Sequence, residues 1–147
     1  MLENAFNEVY TKFKLNFYRG IFERLGERES SLSASEAFAV EVIHALNEPT
    51  ISQFAEFLQI SLPNANYKVN ILTRKGYIEK MNSNTDRREF HLRTTNKFWN
   101  YYAINHTYIT TVMQRIRNRF SEEETKQLEN MLSIISQELM AENKDKL

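Results

Sequence analysis

The sequence has no cysteine, and only three glycines and two prolines among its 147 residues. The absence of cysteine excludes disulfides, thiolate zinc sites and cysteine-based redox sensing. Because glycine and proline are scarce, long helices can run with few breaks. No run approaches the roughly 18 apolar residues of a membrane span, and the N-terminus lacks the basic start and apolar run of a signal peptide. We therefore expect a cytoplasmic protein without a membrane segment.

Motifs for catalysis and metal binding are also missing. The sequence contains no glycine-rich phosphate loop, nucleophile elbow or H-E-x-x-H motif. Its three histidines, His44, His91 and His106, are scattered, and Glu41, three residues before His44, is the only carboxylate at helical spacing before one of them. A metal site needs several converging ligands. We expect neither an enzyme nor a cofactor or metal site.

Net charge is zero, but the charges are unevenly distributed. Residues 61–97 hold eight basic and three acidic residues, whereas residues 29–60 hold five glutamates and no lysine or arginine. Residues 121–147 hold seven acidic and three basic residues. A basic segment between acidic ones predicts local contact with a polyanion.

The apolar pattern predicts mostly helices. Apolar residues recur every three or four positions from Leu2 to Leu25, and three capping boxes, beginning at Ser33, Thr50 and Ser121, mark further helix starts. The stripes expected to face inward are Leu2, Phe6, Val9, Tyr10, Phe13, Phe17, Ile21 and Leu25 in the first helix; Phe38 or Ala39, Val42, Ile43 and Leu46 in the second; and Leu128, Met131, Leu132, Ile135 and Leu139 in the last.

The middle of the chain predicts a helix-turn-helix followed by a hairpin. A short helix after Thr50 is followed by one that Ser61 caps and that Gly76 ends. Alternating residues then predict strands 77–81 and 90–94 around a turn at 82–89. The expected fold is mainly α with a small β-hairpin wing: a winged helix-turn-helix over residues 32–97, flanked by helices over 1–31 and 98–147.

Thr95 is the expected cap of a long helix running to about Phe120. The flanking helices are too apolar to stand alone. They cover the core of one chain, or they interlock between two.

The helix over residues 61–75 is unusual because no acidic residue occurs from Ser61 through Gly76. It contains three asparagines, which are poor helix formers but can bond two adenine edge atoms at once. A polar helix in a charge-depleted surface patch is the alternative interpretation. In a helix-turn-helix we favour DNA reading, with candidate contacts from Ser61, Pro63, Asn64, Asn66, Tyr67, Lys68, Asn70, Arg74 and Lys75.

The predicted hairpin turn could enter a minor groove. Small polar residues including Asn84 lead to Asp86 and the adjacent Arg87 and Arg88. Arginine is attracted by the negative potential of a narrow minor groove, and Asp86 could fix Arg88 or pin the turn to the domain. An ion pair within a free surface loop is the alternative, and spacing alone does not separate the two.

Residues 32–95 resemble the winged-helix regulators of the multiple-antibiotic-resistance (MarR) type. The matching segments are LSASEAFAVEVIHAL, TISQFAEFLQISLPNANYKVNILTRKGYIEK and DRREFHLRTT, the last fitting the family's D-x-R-x-x-x-[LV]-x-x-T wing. The resemblance implies an obligate homodimer, with the first and the last two helices interlocked, on a pseudo-palindromic DNA operator. It also implies a transcription regulator, with repression as the expected action, whose 61–75 helix reads the major groove while Arg88 or its neighbour enters the minor groove.

The chain departs from the family pattern at two places. Many members have glycine where this chain has Phe98, and many have a Ser/Thr-rich recognition helix with an arginine. The operator of typical members therefore does not transfer. The aromatic cluster of Phe98, Trp99, Tyr101 and Tyr102 is more typical of core and dimer packing than of a cofactor site.

The family often binds small aromatic or amphipathic effectors where the first, second and long fifth helices meet. The resemblance implies such a cleft here, with Arg19 as anion partner and a lining of Tyr10, Phe13, Phe17, Phe38, Trp99 and Tyr102. Two other functions fit the sequence less well: a winged helix used for protein–protein assembly without direct DNA binding, and a small-molecule sensor without DNA output.

Overall fold

The computed structural model describes residues 1–25, 32–82, 89–101 and 104–140. Seven α-helices and one antiparallel two-stranded sheet are found in these residues, and the chain forms two compact units, 1–105 and 106–147. The elements are α1 Leu2–Leu25, α2 Ala34–Ala45, α3 Ile51–Leu58, α4 Leu62–Arg74, β1 Ile78–Asn82, β2 Phe90–Thr94, α5 Asn96–Tyr101, α6 Ile104–Arg119 and α7 Glu122–Ile134, which continues as a π-helical turn over Ile135–Leu139. The predicted mainly α fold with a helix-turn-helix and a hairpin is confirmed.

Local chain chemistry fixes the helix starts. At Ser33, Thr50 and Ser121 the hydroxyl accepts from the backbone N–H three residues later, at 3.1–3.3 Å. The Glu or Gln at that later position accepts from the backbone N–H of the capping residue in return, at 2.8–3.0 Å. All three predicted capping boxes are therefore present, and each satisfies two N–H groups that have no partner within the helix.

The hairpin pairs five residues of each strand, from Ile78 opposite Thr94 to Asn82 opposite Phe90. β1 begins one residue later than predicted, because the N–H of Tyr77 donates to the carbonyl of Leu72 at 3.0 Å and completes the end of α4. The residues between the strands, 83–88, lie outside the described part of the chain.

Unit 1 contains the buried core. Its members come from α1, α2, α3, α4, the hairpin and α5, so the helix-turn-helix and the hairpin share one apolar interior: Ile21, Leu32, Ala37, Ala39, Val40, Ile43, Phe54, Ala55, Ala65, Val69, Leu72, Tyr77, Ile78, Leu92 and Phe98.

The predicted inward stripe of α2 is partly wrong. Ala39 and Ile43 are buried as expected, but Ala37 and Val40 are buried too, while the larger Phe38, Val42 and Leu46 are half-buried. α2 contacts α1, α4 and β2, so its buried positions are set by neighbours on several sides. A single stripe read from apolar spacing does not capture that arrangement.

The inward faces predicted for α1 and α7 are largely exposed within one chain. In α1, Phe6 is 61% exposed and Ile21 is the only fully buried member of the predicted face, although Phe17 and Leu25 pack against the core. α7 contains no buried residue, and its Met131 is 58% exposed. The apolar spacing is present in both helices, but most of the residues on these faces are exposed.

The region after the hairpin differs from expectation in two details. Thr95 precedes α5, yet its hydroxyl donates to the carbonyl of Gly76 at 2.6 Å and so ties the end of β2 to the end of α4. Of the aromatic cluster, Phe98 is buried, but Trp99 is 42% exposed. The predicted long helix is described as α5 and α6, with residues 102–103 outside the described part.

Candidate nucleic-acid interface

Hydrogen bonds fix both ends of α4. The Ser61 hydroxyl accepts from the N–H of Asn64 at 3.3 Å, and Pro63 occupies the first turn, where its missing N–H costs nothing. At the other end Gly76 has φ +82° and its N–H donates to the Thr73 carbonyl at 3.0 Å. Together with the Tyr77 bond this is a Schellman motif, which requires a left-handed residue that glycine adopts without strain.

The turn between α3 and α4 is short. Gln59 adopts a left-handed conformation with φ 53° and ends α3, and the N–H of Ile60 donates to the carbonyl of Ala55 at 3.0 Å. α4 begins only two residues later. The two helices of the helix-turn-helix are therefore joined by a short turn, whose conformation is fixed by backbone bonds at the end of α3.

The inward stripe of α4 fixes which side chains face outward. Ala65, Val69 and Leu72 are fully buried. Because helix positions repeat every 3.6 residues, the intervening positions are turned away from the core. Tyr67 is 66% exposed there, and the outward face also carries the exposed Pro63, Asn64, Asn70 and Arg74.

The three asparagines of α4 have different surroundings. Asn66 is half-buried and its amide nitrogen donates to the carbonyl of Leu62 at 3.1 Å. Asn70 accepts from Nζ of Lys80 at 3.0 Å, which links α4 to β1. Asn64 is exposed in the first turn, the part of a recognition helix that contacts base edges.

The basic side chains near α4 are not equivalent. Lys75 Nζ lies 2.7 Å from a carboxylate oxygen of Glu36, and both side chains are partly buried. Burial tends to raise the pKa of Glu36, but the hydrogen bonds from Lys75 and from the Ser33 backbone outweigh it and the pKa is lowered. Lys75 therefore holds α4 against α2, a contact that its interpretation as a DNA-binding residue did not anticipate.

Lys68 and Arg74 differ in exposure: Lys68 is half-buried, whereas Arg74 is exposed. Lys68 Nζ is 3.5 Å from the hydroxyl of Ser35, at the start of α2, and Arg74 is exposed in the last turn of α4. No acidic side chain occurs between them. The predicted wing residues Asn84, Asp86, Arg87 and Arg88 lie outside the described residues.

The base of the hairpin is attached to the turn between α2 and α3. Arg93 Nε lies 2.7 Å from the carboxylate of Glu48, and the His91 ring donates from Nδ1 to the Glu48 carbonyl at 2.8 Å. The N–H of Leu92 donates to the Pro49 carbonyl at 2.8 Å, and Thr50 forms a β-bridge with His91. Sequence reasoning missed the role of Glu48. The adjacent proline marked the turn, but nothing in the sequence marked its partner on β2.

The predicted effector-lining residues are only partly brought together. Phe17 and Phe38 contact each other edge to face, with ring centroids 6.1 Å apart, whereas Trp99 packs against His44 at 4.7 Å. Phe13 is half-buried, Tyr10 is 50% exposed and Arg19 is exposed. Tyr102 lies outside the described residues.

Two buried oxygens near these rings have no hydrogen-bond partner within the described structure: Oδ1 of Asn16 on α1 and Oε1 of Glu41 on α2. Asn16 directly precedes Phe17, and Glu41 lies one turn after Phe38 and one turn before His44. Burial raises the pKa of Glu41 to about 7. Sequence reasoning noted Glu41 only for its spacing from His44.

Neither a membrane span nor a metal cluster occurs among the described residues. None of their helices is long and apolar enough to cross a membrane. No group of three or more metal-ligating side chains comes together in the same part of the chain.

Residues 32–90 match the model of the MarR family. Similar solved structures include Streptococcus pneumoniae FabT in complex with DNA, which is 26% identical, with 95% of this chain and 97% of FabT covered and a TM-score of 0.56. A mutant of MepR from a multidrug-resistant clinical isolate of S. aureus is 16% identical, with 95% and 98% covered and a TM-score of 0.62. The transcriptional regulator Tm0710 of Thermotoga maritima is 16% identical, with 99% and 98% covered and a TM-score of 0.59. No curated protein matches the sequence. Through the match over residues 32–90 and this shared winged-helix fold, the chain is similar to the regulators of the MarR family.

Proposed function

We propose that the protein is a homodimeric, sequence-specific DNA-binding transcription regulator, and that it acts as a cytoplasmic repressor. One observation carries the proposal: α4 turns a face free of carboxylates outward while its apolar stripe is fully buried. The FabT structure, at 26% identity over nearly the whole chain, is a complex with DNA. That neighbour supports extending the shared fold to DNA binding here.

In this proposal α4 enters the major groove. Asn64 and Tyr67, exposed near its start, reach base edges or phosphates, since amide and hydroxyl groups serve both. Arg74 and Lys68 contact phosphates. Lys75 and Asn66 stabilise the helix, through the ion pair with Glu36 and the hydrogen bond to the Leu62 carbonyl.

The β1–β2 hairpin is the wing, and its tip enters the minor groove. Arg88 is the residue we expect in the groove, with Arg87 on the adjacent phosphates and Asp86 holding the turn. Arg88→Ala should weaken operator binding by about 1–3 kcal/mol. A gel-shift titration checks this, and unchanged affinity would remove the wing from the mechanism.

A second copy of the chain covers the apolar faces that one chain leaves open. The exposed Phe6 of α1 and Met131 of α7 would be costly to leave in water. Between α6 and α7 a groove of about 440 Å³ is lined in part by Met113, Ile116 and Leu132. Two copies would present two α4 helices roughly 34 Å apart, the spacing of successive major grooves.

A small effector near Glu41 is a second part of the proposal. The buried, unpartnered oxygens of Asn16 and Glu41 need a donor or positive charge, whereas Arg19, the expected anion partner, is exposed. This favours an amphipathic amine over an aromatic acid. Matched aromatic amines and acids in a thermal-shift assay test it: the amines should stabilise the wild type but not Glu41→Gln. Stabilisation by the acids alone, or by neither, would contradict it.

DNA binding itself is tested by a gel shift of duplex DNA at submicromolar protein over a series of salt concentrations. Counterion release predicts affinity that falls steeply with salt. Absence of a shift at low salt would instead favour the alternative, a winged helix that binds an acidic protein partner.

A further inference from the structure

The turn between α2 and α3 has an unusual backbone. Asn47 and Glu48 both have positive φ, 56° and 59°. Asparagine tolerates the left-handed region, but glutamate rarely adopts it because its Cβ crowds the following carbonyl. Such a conformation persists only when surrounding contacts hold it.

Three contacts from β2 hold this turn. Three consecutive residues, 48–50, meet three consecutive residues, 91–93: the Glu48 carbonyl accepts from His91, the Pro49 carbonyl accepts from the Leu92 N–H, and the Glu48 carboxylate pairs with Arg93. The left-handed turn directs both the carbonyl and the carboxylate of one residue at the same strand.

The choice of partner by Arg93 is informative. Its cross-strand neighbour on β1 is Glu79, which could form an ion pair within the hairpin. Its Nε instead lies 2.7 Å from Glu48. The charge pair therefore ties the hairpin to the helix-turn-helix rather than stabilising the hairpin internally.

The two faces of β2 are anchored differently. Leu92 is fully buried and holds one face in the core. Side chains alternate along a strand, so His91 and Arg93 project from the other face, where Glu48 binds both. A strand held by one buried side chain can still tilt about it, whereas contacts on both faces restrict that tilt.

We propose that Glu48 is a positioning residue for the wing: it sets the direction of the β1–β2 hairpin relative to α4, so that both reach their grooves on the same duplex. This inference rests on the proposed DNA binding. It adds Glu48, which does not itself contact DNA, to the residues on which tight binding depends.

The test uses the full chain and relies on the sign of the effect. Removing a carboxylate from a DNA-binding domain should by charge alone tighten DNA binding. We expect Glu48→Gln and Glu48→Gly instead to weaken operator binding, by about fivefold for the glycine variant. Glu56→Gln, which removes the same charge from the exposed surface of α3, is the matched control and should bind as tightly as the wild type or tighter.

Stability separates positioning from general structural damage. Glycine relieves the left-handed strain, so Glu48→Gly should keep or raise the melting temperature while losing DNA affinity. On an Arg88→Ala background, where the wing contact is already lost, Glu48→Gly should cost little more. Amide exchange at Leu92, whose N–H donates to Pro49, reads the attachment without DNA and should be faster in Glu48→Gly.

The outcomes are distinct. If the wild type binds DNA and both Glu48 variants bind as well as Glu56→Gln, the positioning role is wrong and the proposed function stands. Equal losses with and without Arg88 would also overturn it, since the effect would not pass through the wing. If the wild type fails to bind any duplex, the proposed function fails, and the wing role of Glu48 fails with it.

Discussion

The winged-helix region and the helices that flank it bury their apolar residues to very different extents. Between Leu32 and Phe98 the described chain buries a continuous core, and Phe54 is fully inaccessible. The described part of α7 buries nothing, and α1 contributes only Gly20 and Ile21. Yet the flanking helices show the same apolar spacing as the central ones. The difference shows that the central region completes its own core, whereas the apolar faces of the flanking helices stay largely exposed in the described chain; the proposed second copy would cover them.

The basic residues of the winged-helix region also differ: some form ion pairs within the domain, and others are exposed. Lys75 pairs with Glu36, and Arg93 with Glu48, inside the winged-helix region. Arg74 is exposed at the end of α4. Basic residues close together in the sequence thus divide into those that hold the domain and those available to a polyanion.

The largest expected effect concerns the core of the winged-helix region. Phe54→Ala should lower the free energy of unfolding by about 3–5 kcal/mol, because it leaves a cavity in a fully buried site. Phe57→Ala, on the same helix but 40% exposed, is the control and should cost much less. Urea denaturation at one fixed protein concentration measures both. Equal losses would mean that α3 is not packed as described.

The next effect concerns the flanking helices. Phe6→Glu should raise the dimer dissociation constant by about a thousandfold, because a symmetric dimer loses two buried phenyl rings at roughly 2 kcal/mol each. Asn4→Glu, on the opposite side of α1, should leave it nearly unchanged. Sedimentation velocity over a dilution series distinguishes the two. A dimer unaffected by Phe6→Glu would place the interface elsewhere.

The raised pKa of Glu41 should make the stability of the fold depend on pH, an effect of intermediate size. Its folded pKa is about 7 against an ordinary value of 4.5, so the folded state binds the proton more tightly. The contribution of this proton to the free energy of unfolding is fully present below pH 4.5. It is lost as the pH rises through about 7, by on the order of 3 kcal/mol. Glu41→Gln should therefore be more stable than the wild type above pH 7, with a flatter pH dependence.

Thermal unfolding from pH 5 to pH 8 measures the Glu41 effect. The exposed Glu23→Gln is the control and should follow the wild type. A wild-type pH profile that Glu41→Gln leaves unchanged would show that another group is responsible.

The smallest effect separates two adjacent basic residues. Arg74→Ala should weaken all DNA sequences alike and reduce the slope of log affinity against log salt by about 1. Lys75→Ala should leave that slope unchanged and instead lower thermal stability, because the partly buried Glu36 carboxylate loses its ion-pair partner. Salt titrations of one operator with both variants make the comparison. A reduced slope for Lys75→Ala would show that Lys75 contacts DNA.

Local rules predicted much of this fold from the sequence. The capping boxes at Ser33, Thr50 and Ser121 and the glycine end of α4 involve residues only three to five apart, so their partners are visible in the sequence. The buried stripe of α4 follows from helical spacing for the same reason.

The features that sequence reasoning missed all depend on distant partners. Lys75 meets Glu36 across 39 positions, and Arg93 meets Glu48 across 45. Periodicity showed that α1 has an apolar face, but it could not show that Phe6 stays exposed within one chain. Burial of Glu41 depends on the packing around α2, which no spacing rule specifies.

The central claim is that two copies of the protein read DNA with α4. In vitro selection from a random duplex pool tests it most directly, with the wild type and Asn64→Ala selected in parallel. We predict a pseudo-palindromic motif whose half-sites are centred about 10 base pairs apart, and a changed base preference at the same position of both half-sites in the variant. No enriched motif, or the same motif with unchanged preference for both proteins, would contradict the account.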